Sequence, residues 1–244
     1  MNTSDATTTQ QPSRQLDSSP EVCTMRNTIT RAEQSLGISN VAIYQMVARA
    51  LADCPHSSVL LDVGCGAGNL KPFVLKFCDR YVGIDAVRYE GFPAGTEFIA
   101  QNLDEPMAQL EGGFADVVVS VETIEHLENP RAFYRELVRL TKPGGHIIVT
   151  TPNQLSLLSK LTLVLKDQFN AFQEAPGLYP AHITALLEID LRRIAQECGL
   201  TDIRVEYSDR GRILFTSRNY PASSMFRGRL FSDNLLCIAR RPVF

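Results

Sequence analysis

The chain has 244 residues, of which 44% are hydrophobic and 21% are charged, and its formal net charge at pH 7 is -3. This length accommodates one α/β domain with appendages, and the slightly acidic balance argues against a broad basic surface for nucleic acid. No run of residues approaches the about 18 consecutive apolar positions that a membrane-spanning helix needs.

Six cysteines are scattered along the chain without a C-x-x-C pair. This pattern is typical of reduced core residues in a cytosolic protein. The N-terminal region also lacks the apolar segment of a secretory signal. We therefore expect a cytoplasmic protein.

The N-terminal region predicts a tail followed by helices. Residues 1–22 hold too few apolar side chains to offset the entropy cost of ordering, so we predict a disordered tail. Helical patterns follow near 24–36 and 39–53, and we interpret residues 23–57 as a helical cap. Apolar spacing does not separate a helix that packs on a sheet from one that covers a pocket, so both roles stay open. The second pattern places these residues on one face: Val41, Tyr44, Val47, Ala48 and Leu51.

An apolar strand at 59–63 opens onto three glycines, Gly64, Gly66 and Gly68. Glycine allows positive φ and the close approach of a ligand. A dinucleotide fold has G-x-G-x-x-G, whereas here the third glycine comes one residue early. Asp62, just before the turn, would repel a pyrophosphate but can receive a cationic amine. The turn therefore favours a ligand with an amino-acid head.

A second strand at 81–84 ends at Asp85, about 20 residues after the first, where such folds place an acid for a ribose. One ligand would then span both turns. The strings D-V-G-C-G-A-G-N and V-G-I-D resemble the first two motifs of class I S-adenosylmethionine (SAM)-dependent methyltransferases. An NAD site, or a strand, turn and helix without a ligand, is the alternative.

The resemblance implies SAM as the cofactor and a set of residues that contact it. After a third strand at 97–101, the family often has an acidic residue for the adenine amine. This chain has Asn102 there, whose carbonyl can accept a hydrogen bond, and Asp104 two residues later. The candidate cofactor-binding residues are Asp62, Gly64, Cys65, Gly66, Asp85, Ala86, Asn102, Leu103 and Ser120.

A buried strand is predicted at 114–120 from its continuous β-branched run. If the next segment begins a helix, Glu122, Glu125 and His126 stand at i, i+3 and i+4 on one face. A neutral imidazole suits a general base at neutral pH, and adjacent carboxylates orient it. We therefore predict these three residues as catalytic, with His126 as the base that takes a hydroxyl proton.

A helix near 130–140 and a strand at 146–150 complete the central part of the chain. The string F-A-D-V-V-V-S-V-E-T-I-E-H-L-E-N-P, followed by K-P-G-G-H-I-I-V-T-T-P-N, resembles the methyltransferase subgroup that contains ubiquinone-biosynthesis O-methyltransferases. The resemblance covers roughly residues 58–153. It implies a Rossmann-like α/β fold with a seven-stranded, mostly parallel sheet and helices on both faces, in a domain over residues 58–244.

The E-x-x-E-H spacing, completed by His182, also resembles the metal-binding set of small-RNA 2'-O-methyltransferases and is similar to the pattern in quinone O-methyltransferases. The candidate metal ligands are Glu122, Glu125, His126 and His182, which would suit Mg²⁺, Mn²⁺ or Zn²⁺. Three roles stay open: a base without a metal, a metal site, or carboxylates that favour a helix N-terminus beside a packed histidine.

The C-terminal part predicts a lid and the closing elements of the sheet. The helix at 155–165 is apolar all round, so we predict ordinary core, with an entrance for a lipophilic substrate as the alternative. It lies in a predicted lid insertion at about 154–182. A helix at 184–197 and strands at 202–207 and 235–239 follow.

The resemblance implies SAM-dependent O-methylation of a small-molecule hydroxyl, in a quinone precursor, a phenol or a glycan-like acceptor. RNA 2'-O-methylation is the first alternative, against which the acidic composition and the lack of a basic, aromatic channel argue. A SAM-binding scaffold without catalysis is the second. We expect a small-molecule acceptor as the partner, with no nucleic acid and no membrane-spanning segment, and the sequence does not predict an oligomeric state.

Overall fold

The structure is a computed structural model that describes residues 20–174, 181–209, 211–214, 216, 218–221 and 224–243. The predicted tail falls largely on residues 1–19, which lie outside the described residues, and residues 20–22 begin the first helix. Part of the predicted lid, residues 175–180, also lies outside them.

Seven strands form one sheet in the order β3-β2-β1-β4-β5-β7-β6. The first five strands pair in parallel, and β7 runs antiparallel to β5 and to β6. This arrangement confirms the predicted fold class. The strands are β1 Ser57–Val63, β2 Cys78–Asp85, β3 Glu97–Ala100, β4 Ala115–Ser120, β5 Thr141–Pro152, β6 Thr201–Tyr207 and β7 Asn234–Arg240.

Two of the α-helices begin at asparagine caps. Asn40 accepts a hydrogen bond from the Ala42 N–H at 2.9 Å, and Asn129 accepts one from the Ala132 N–H at 3.0 Å directly before Pro130. Both are preferred N-terminal arrangements. The helices are α1 Pro20–Ser35, α2 Val41–Ala52, α3 Lys71–Val74, α4 Pro130–Leu140, α5 Leu157–Lys166 and α6 Glu188–Glu197.

Alternation along the strands builds a core on each face of the sheet. Val118 of β4 joins the cluster that packs α4 and α6, whereas Val117 and Val119 join the cluster that packs α2 and α3. Successive strand side chains point to opposite faces, so a parallel sheet needs helices on both.

The second N-terminal helix, α2, belongs to this core. Met46 and Val47 are fully buried in the cluster on its face of the sheet. Tyr44 packs on Phe73 with 5.5 Å between ring centroids. The predicted domain boundary at residue 57 stays a prediction, but α2 is continuous in packing with the sheet.

The prediction that the apolar helix is ordinary core is wrong. In α5, Leu163, Val164 and Leu165 are exposed, and Ser159 is its one buried residue. The chain has left the sheet at this point, and α5 packs on the turn at Asn170–Phe172 instead of on a strand. Its apolar residues encircle the helix, but only one side has a neighbour. No helix of the described chain has both the length and the apolar character to span a membrane.

Truncating one side chain in α4 and one in α5 tests whether α4 belongs to the core and α5 does not. Leu137 of α4 is fully buried, so we expect Leu137→Ala to lower the free energy of unfolding by about 2–5 kcal/mol through lost burial and a cavity. Val164 of α5 is 77% exposed, and we expect Val164→Ala to change it by less than about 0.5 kcal/mol. Chemical denaturation of both variants measures the difference. Equal effects would contradict the packing described here.

Candidate functional site

A cavity of about 1360 Å³ lies at the carboxyl ends of β1, β2, β4 and β5. Ligands of open α/β sheets bind at this edge, where the strand order reverses, here between β1 and β4. The volume exceeds the roughly 300–1,000 Å³ of a pocket for one drug-sized ligand. The cavity therefore has room for two molecules side by side.

The glycine turn after β1 accommodates other parts of the protein as well as a ligand. Gly64 and Gly66 have φ of +79° and +52°. A Cβ at Gly66 would clash with the carbonyl oxygen of Gly37, and one at Gly64 with the Thr123 side chain. The Ala67 N–H also donates to the Gly37 carbonyl at 2.9 Å. The interpretation that these glycines serve ligand approach is therefore incomplete, since the loop between α1 and α2 takes part of that space.

Asp62 lines the cavity at the end of β1 and is only 1% exposed. The Tyr81 hydroxyl donates to its Oδ2, and its Oδ1 is buried without a hydrogen-bond partner in the described part of the chain. Burial, with a smaller contribution from the charge of Asp85, raises the pKa of Asp62 to about 7. This carboxylate lacks a counter-charge, which a cationic ligand would supply.

Asp85 lines the same wall at the end of β2. It accepts the Gly66 N–H at 2.8 Å and the Val87 N–H at 3.4 Å. Burial raises the pKa of Asp85, and these amides partly offset the rise. The structure brings further predicted cofactor residues to this wall, namely Cys65, Ala86 and Leu103.

Two predicted cofactor residues do not reach the cavity wall. Asn102 donates to Glu105 Oε1 at 2.9 Å and accepts the Asp104 N–H at 3.1 Å, so its amide closes its own turn. Ser120 is fully buried, and its hydroxyl has no partner in the described chain. Neither is among the cavity-lining residues, and their roles at the cofactor stay predictions.

Asp104 instead anchors the first helix. It accepts a hydrogen bond from Arg31 Nη2 at 2.7 Å, and Arg31 Nη1 reaches Glu128 at 3.1 Å. Arg31 and Thr28 of α1 both line the cavity. This ion pair was missed from the sequence because no local spacing connects residues 31 and 104.

The segment after β4 differs from the predicted helix. Only Ile124–His126 forms a short 3-10 turn, and Glu122 precedes it with a left-handed φ of +49°. Its Oε1 accepts the Thr150 hydroxyl at 2.9 Å and its Oε2 accepts Asn234 Nδ2 at 2.7 Å. Burial raises the pKa of Glu122 to about 7. The predicted i, i+3, i+4 face is therefore wrong for Glu122, although this residue still lines the cavity.

Glu125 is completely buried behind the cavity. Its Oε2 accepts the Thr151 hydroxyl at 3.2 Å, whereas Oε1 has no partner in the described residues. Burial and then the charge of Glu122 raise the pKa of Glu125 well above its ordinary value. Its backbone carbonyl accepts the N–H groups of Ile183 and Thr184, which explains why α6 begins at Glu188 and not at the predicted residue 184.

Backbone carbonyls orient both histidines of the site. His126 Nδ1 lies 2.7 Å from the Ala181 carbonyl oxygen, and His182 Nδ1 lies 2.7 Å from that of Ala171. A carbonyl only accepts, so we assign the proton to Nδ1, which leaves a lone pair on each Nε2. Burial lowers the pKa of His126, and burial with the nearby His126 lowers that of His182 to about 4. Both rings are therefore neutral at pH 7.

The structure gathers three of the four candidate metal ligands. Glu125, His126 and His182 each offer one ligand atom, and these three atoms lie within 4.8 Å of one another. Glu122 is outside this group. Sequence reasoning missed the residues that position the carboxylates. For the two threonines, the signal was the polar T-T-P-N run at the end of β5, which lies at the same edge of the sheet as Asp62 and Asp85. The missed residues are Thr150, Thr151 and Asn234.

Comparison with known proteins identifies the family. Residues 39–205 match the family described as "Methyltransferase domain". A ubiquinone biosynthesis O-methyltransferase of Cupriavidus pinatubonensis is 26% identical over 185 residues, which cover 71% of this chain and 74% of that protein. One of Cronobacter sakazakii is 33% identical over 104 residues, which cover 39% of this chain and 42% of that protein.

Among solved structures, a SAM-dependent methyltransferase of Archaeoglobus fulgidus has a TM-score of 0.63 at 17% identity. The match covers 86% of this chain and 97% of that one, and it shows a shared fold. The family match extends over more than half of the chain and includes the glycine turn, Asp85 and the E-x-x-E-H segment. The chain therefore belongs to the class I SAM-dependent methyltransferases.

Proposed function

We propose that the protein transfers a methyl group from SAM to a hydroxyl of a small molecule. The observation that carries this proposal is His126, whose ring is held through Nδ1 at the Ala181 carbonyl and which lines the same cavity as Asp62 and Asp85. Relatives named ubiquinone biosynthesis O-methyltransferases support hydroxyl oxygen as the acceptor atom. The acceptor classes are a quinone precursor, a phenol or a glycan-like molecule.

The cofactor half of the cavity fits SAM. Asp62 offers a buried, unpartnered oxygen for the amino group of the ligand, and Asp85 offers a carboxylate at the end of β2 for the ribose hydroxyls. Cys65, Ala86 and Leu103 would line the nucleoside. When bound, SAM supplies an electrophilic methyl group on a sulfonium.

His126 would act on the acceptor proton. Its Nδ1–H bond to Ala181 fixes the ring, and Nε2 takes the proton of the acceptor hydroxyl as the oxygen becomes the nucleophile. The low pKa keeps the ring neutral and ready to accept. Glu125 places a carboxyl oxygen within 4.8 Å of a ring nitrogen of His126. When ionised, this carboxylate stabilises the imidazolium by electrostatic attraction.

The same cluster also fits a divalent cation. The unpartnered Glu125 Oε1 and the Nε2 atoms of His126 and His182 would hold it, and a donor set with two imidazoles suits Zn²⁺ or Mn²⁺ better than Mg²⁺. Such a cation would act as a Lewis acid toward the acceptor oxygen. In that case His126 would be a ligand and could not serve as the base.

RNA methylation and a scaffold role are less well supported. The described arginines that line the cavity, Arg31, Arg212 and Arg227, each have an acidic partner, which reduces the positive charge open to a phosphate backbone. A scaffold would not need a histidine held in one tautomer beside the cofactor half. The cytoplasmic location stays a prediction.

Replacing Asp62 tests the cofactor site. We expect Asp62→Asn to weaken SAM binding by about tenfold or more, because a hydrogen bond to a charged group is lost. In the wild type, affinity should fall as the pH drops through about 7, since the raised pKa of Asp62 lets protonation remove the charge that holds the amine. The variant should lack this pH dependence. Isothermal titration between pH 5.5 and 7.5 measures both.

The matched control is Asp79→Asn, which changes an exposed carboxylate beside His56. It should bind SAM as the wild type does. Unchanged affinity in Asp62→Asn would refute the assigned role of Asp62.

Replacing His126 tests the base. We expect His126→Ala to lower kcat by about 10²- to 10⁴-fold, the usual contribution of general base catalysis, with SAM affinity unchanged. His56→Ala, at an exposed histidine, is the control. Transfer of tritiated methyl groups from SAM to catechols, glycans and RNA provides the assay. Full activity in His126→Ala would rule out both active roles of this residue.

Metal analysis separates the base from the cation site. For the base, we expect chelation to leave the rate unchanged and Glu125→Gln to reduce it only through the lost stabilisation of the imidazolium. Element analysis of purified protein gives the second readout. The cation site would be correct, and His126 would not be the base, if each chain held about one tightly bound cation. Glu125→Gln and His182→Ala should then release this cation, and Glu197→Gln should not.

A further inference from the structure

The cavity wall beyond His126 shows what kind of acceptor the site takes. Cavity-lining residues from the described parts of positions 152–174, 181–182 and 208–234 build this wall, which we call the acceptor wall. They follow β5 and β6 and precede β7, on the other side of the strand-order reversal from β1 and β2. The acceptor wall is therefore separate from the half that holds Asp62 and Asp85. This inference rests on the proposed function, methyl transfer to a hydroxyl.

The acceptor wall is polar. Of its described cavity-lining residues, none is Leu, Ile, Val or Met. Although α5 is rich in leucine, it and its N-cap reach the cavity through Ser156 and Ser159 alone, and its apolar tip is exposed on the outside. The described residues of the wall therefore do not support the alternative role of this helix, an apolar entrance for a lipophilic substrate.

Side-chain amides on this wall have unused hydrogen-bonding capacity. Within the described residues, the amides of Asn170 and Asn219 make no side-chain hydrogen bond, since their contacts are through the backbone. Asn234 donates its Nδ2 to Glu122 while its Oδ1 accepts none. Each amide offers both a donor and an acceptor, or an acceptor alone at Asn234, to ligand hydroxyls.

One aromatic side chain of the acceptor wall lines the same cavity as these amides. Phe226 lines the cavity and is stacked on Tyr220, with 5.1 Å between centroids and 15° between planes. Phe231 meets it edge-on at 5.5 Å. The neighbours hold Phe226 in place as a flat apolar platform. A platform bordered by amides matches a sugar ring, which has an apolar C–H face and a rim of hydroxyls.

The arginines of the acceptor wall have acidic partners. Arg212 pairs with Asp233 at 3.2 Å, and Arg227, at 3.6 Å, shares Asp209 with Arg49, at 3.3 Å. These contacts partly neutralise the positive charge that a phosphate or a carboxylate on the acceptor would need. A prenyl chain would be disfavoured too, because it would remove water from the amides without replacing their hydrogen bonds.

We propose that the acceptor is a neutral, polyhydroxylated molecule of the sugar class, with one ring face on Phe226 and hydroxyls on Asn170, Asn219 and Asn234. In the transfer, the acceptor oxygen forms its bond to the methyl carbon as the sulfur–methyl bond breaks. The electron pair of that bond stays on sulfur, which becomes a neutral thioether. The hydroxyl proton passes to His126.

The first experiment compares two acceptor panels with tritiated SAM: neutral methyl hexosides, and catechols with and without a prenyl chain. We expect kcat/KM for the best hexoside to exceed that for the prenylated catechol by about tenfold or more. A prenylated catechol that outperforms every hexoside overturns the sugar-class acceptor and leaves hydroxyl methylation intact.

The second experiment probes the platform. We expect Phe226→Ala to raise KM for the hexoside about tenfold while kcat changes less than about twofold, since a stacking contact is lost and the base is untouched. Leu230→Ala, an exposed neighbour outside the cavity lining, should leave both constants unchanged. An unchanged KM in Phe226→Ala counts against the proposed acceptor.

Saturation-transfer NMR of methyl hexosides on the protein loaded with S-adenosylhomocysteine provides a readout without turnover. We expect signals that Phe226→Ala removes and Leu230→Ala keeps. If no hydroxyl of either panel is methylated while SAM binds, the proposed function fails. In that case the NMR result alone tests whether the cavity binds a sugar. The absence of hexoside signals in the wild type would refute the sugar-class acceptor.

Discussion

The structure depends on four carboxylates that converge at one edge of the sheet: Asp62, Asp85, Glu122 and Glu125. Burial raises the pKa of each of them. Carboxylates removed from water are costly unless hydrogen bonds or opposite charges replace the solvent. The fold supplies the hydrogen bonds from the phenol of Tyr81, the Gly66 amide, the hydroxyls of Thr150 and Thr151, and the Asn234 amide. What it does not supply is positive charge, which explains why this edge suits a cationic cofactor.

The order of the parallel strands divides the cavity into two halves. β1 and β2 carry the acids of the cofactor half, while β4 and β5 carry Glu122, Glu125 and the residues that hold them. His126 stands at the boundary, because the 3-10 turn after β4 directs it toward Ala181 of the opposite segment. A proton acceptor between a cofactor half and a polar acceptor wall is the arrangement that the proposed transfer needs.

Local features of the sequence predicted much of the fold and part of the site. Asp62 and Asp85 end apolar runs, so their place at the edge followed from strand direction alone. Glu122 did not follow, because its left-handed backbone is imposed by Thr150 and Asn234, which are distant in sequence. The ion pair of Arg31 and Asp104 has the same origin in tertiary contact.

The residue pattern did not predict features that depend on which neighbour a side chain meets in the folded chain. Leu163 to Leu165 are as apolar as any core segment, yet they are exposed, because α5 packs mainly on the turn at Asn170–Phe172. Asn102 occupies a position that the family pattern assigns to the adenine contact, but a nearer partner, Glu105, captures its amide. In both cases the competing neighbour was not visible in the residue types themselves.

The contact between Gly37 and the glycine turn links the cofactor half to the N-terminal helices. The Gly37 carbonyl sits where a side chain at Gly66 would be and receives the Ala67 N–H, while Arg31 clamps α1 onto Asp104. A nucleoside bound beside the glycine turn would lie next to this loop. The position of the first helix and the shape of the cofactor half are therefore set by the same contacts.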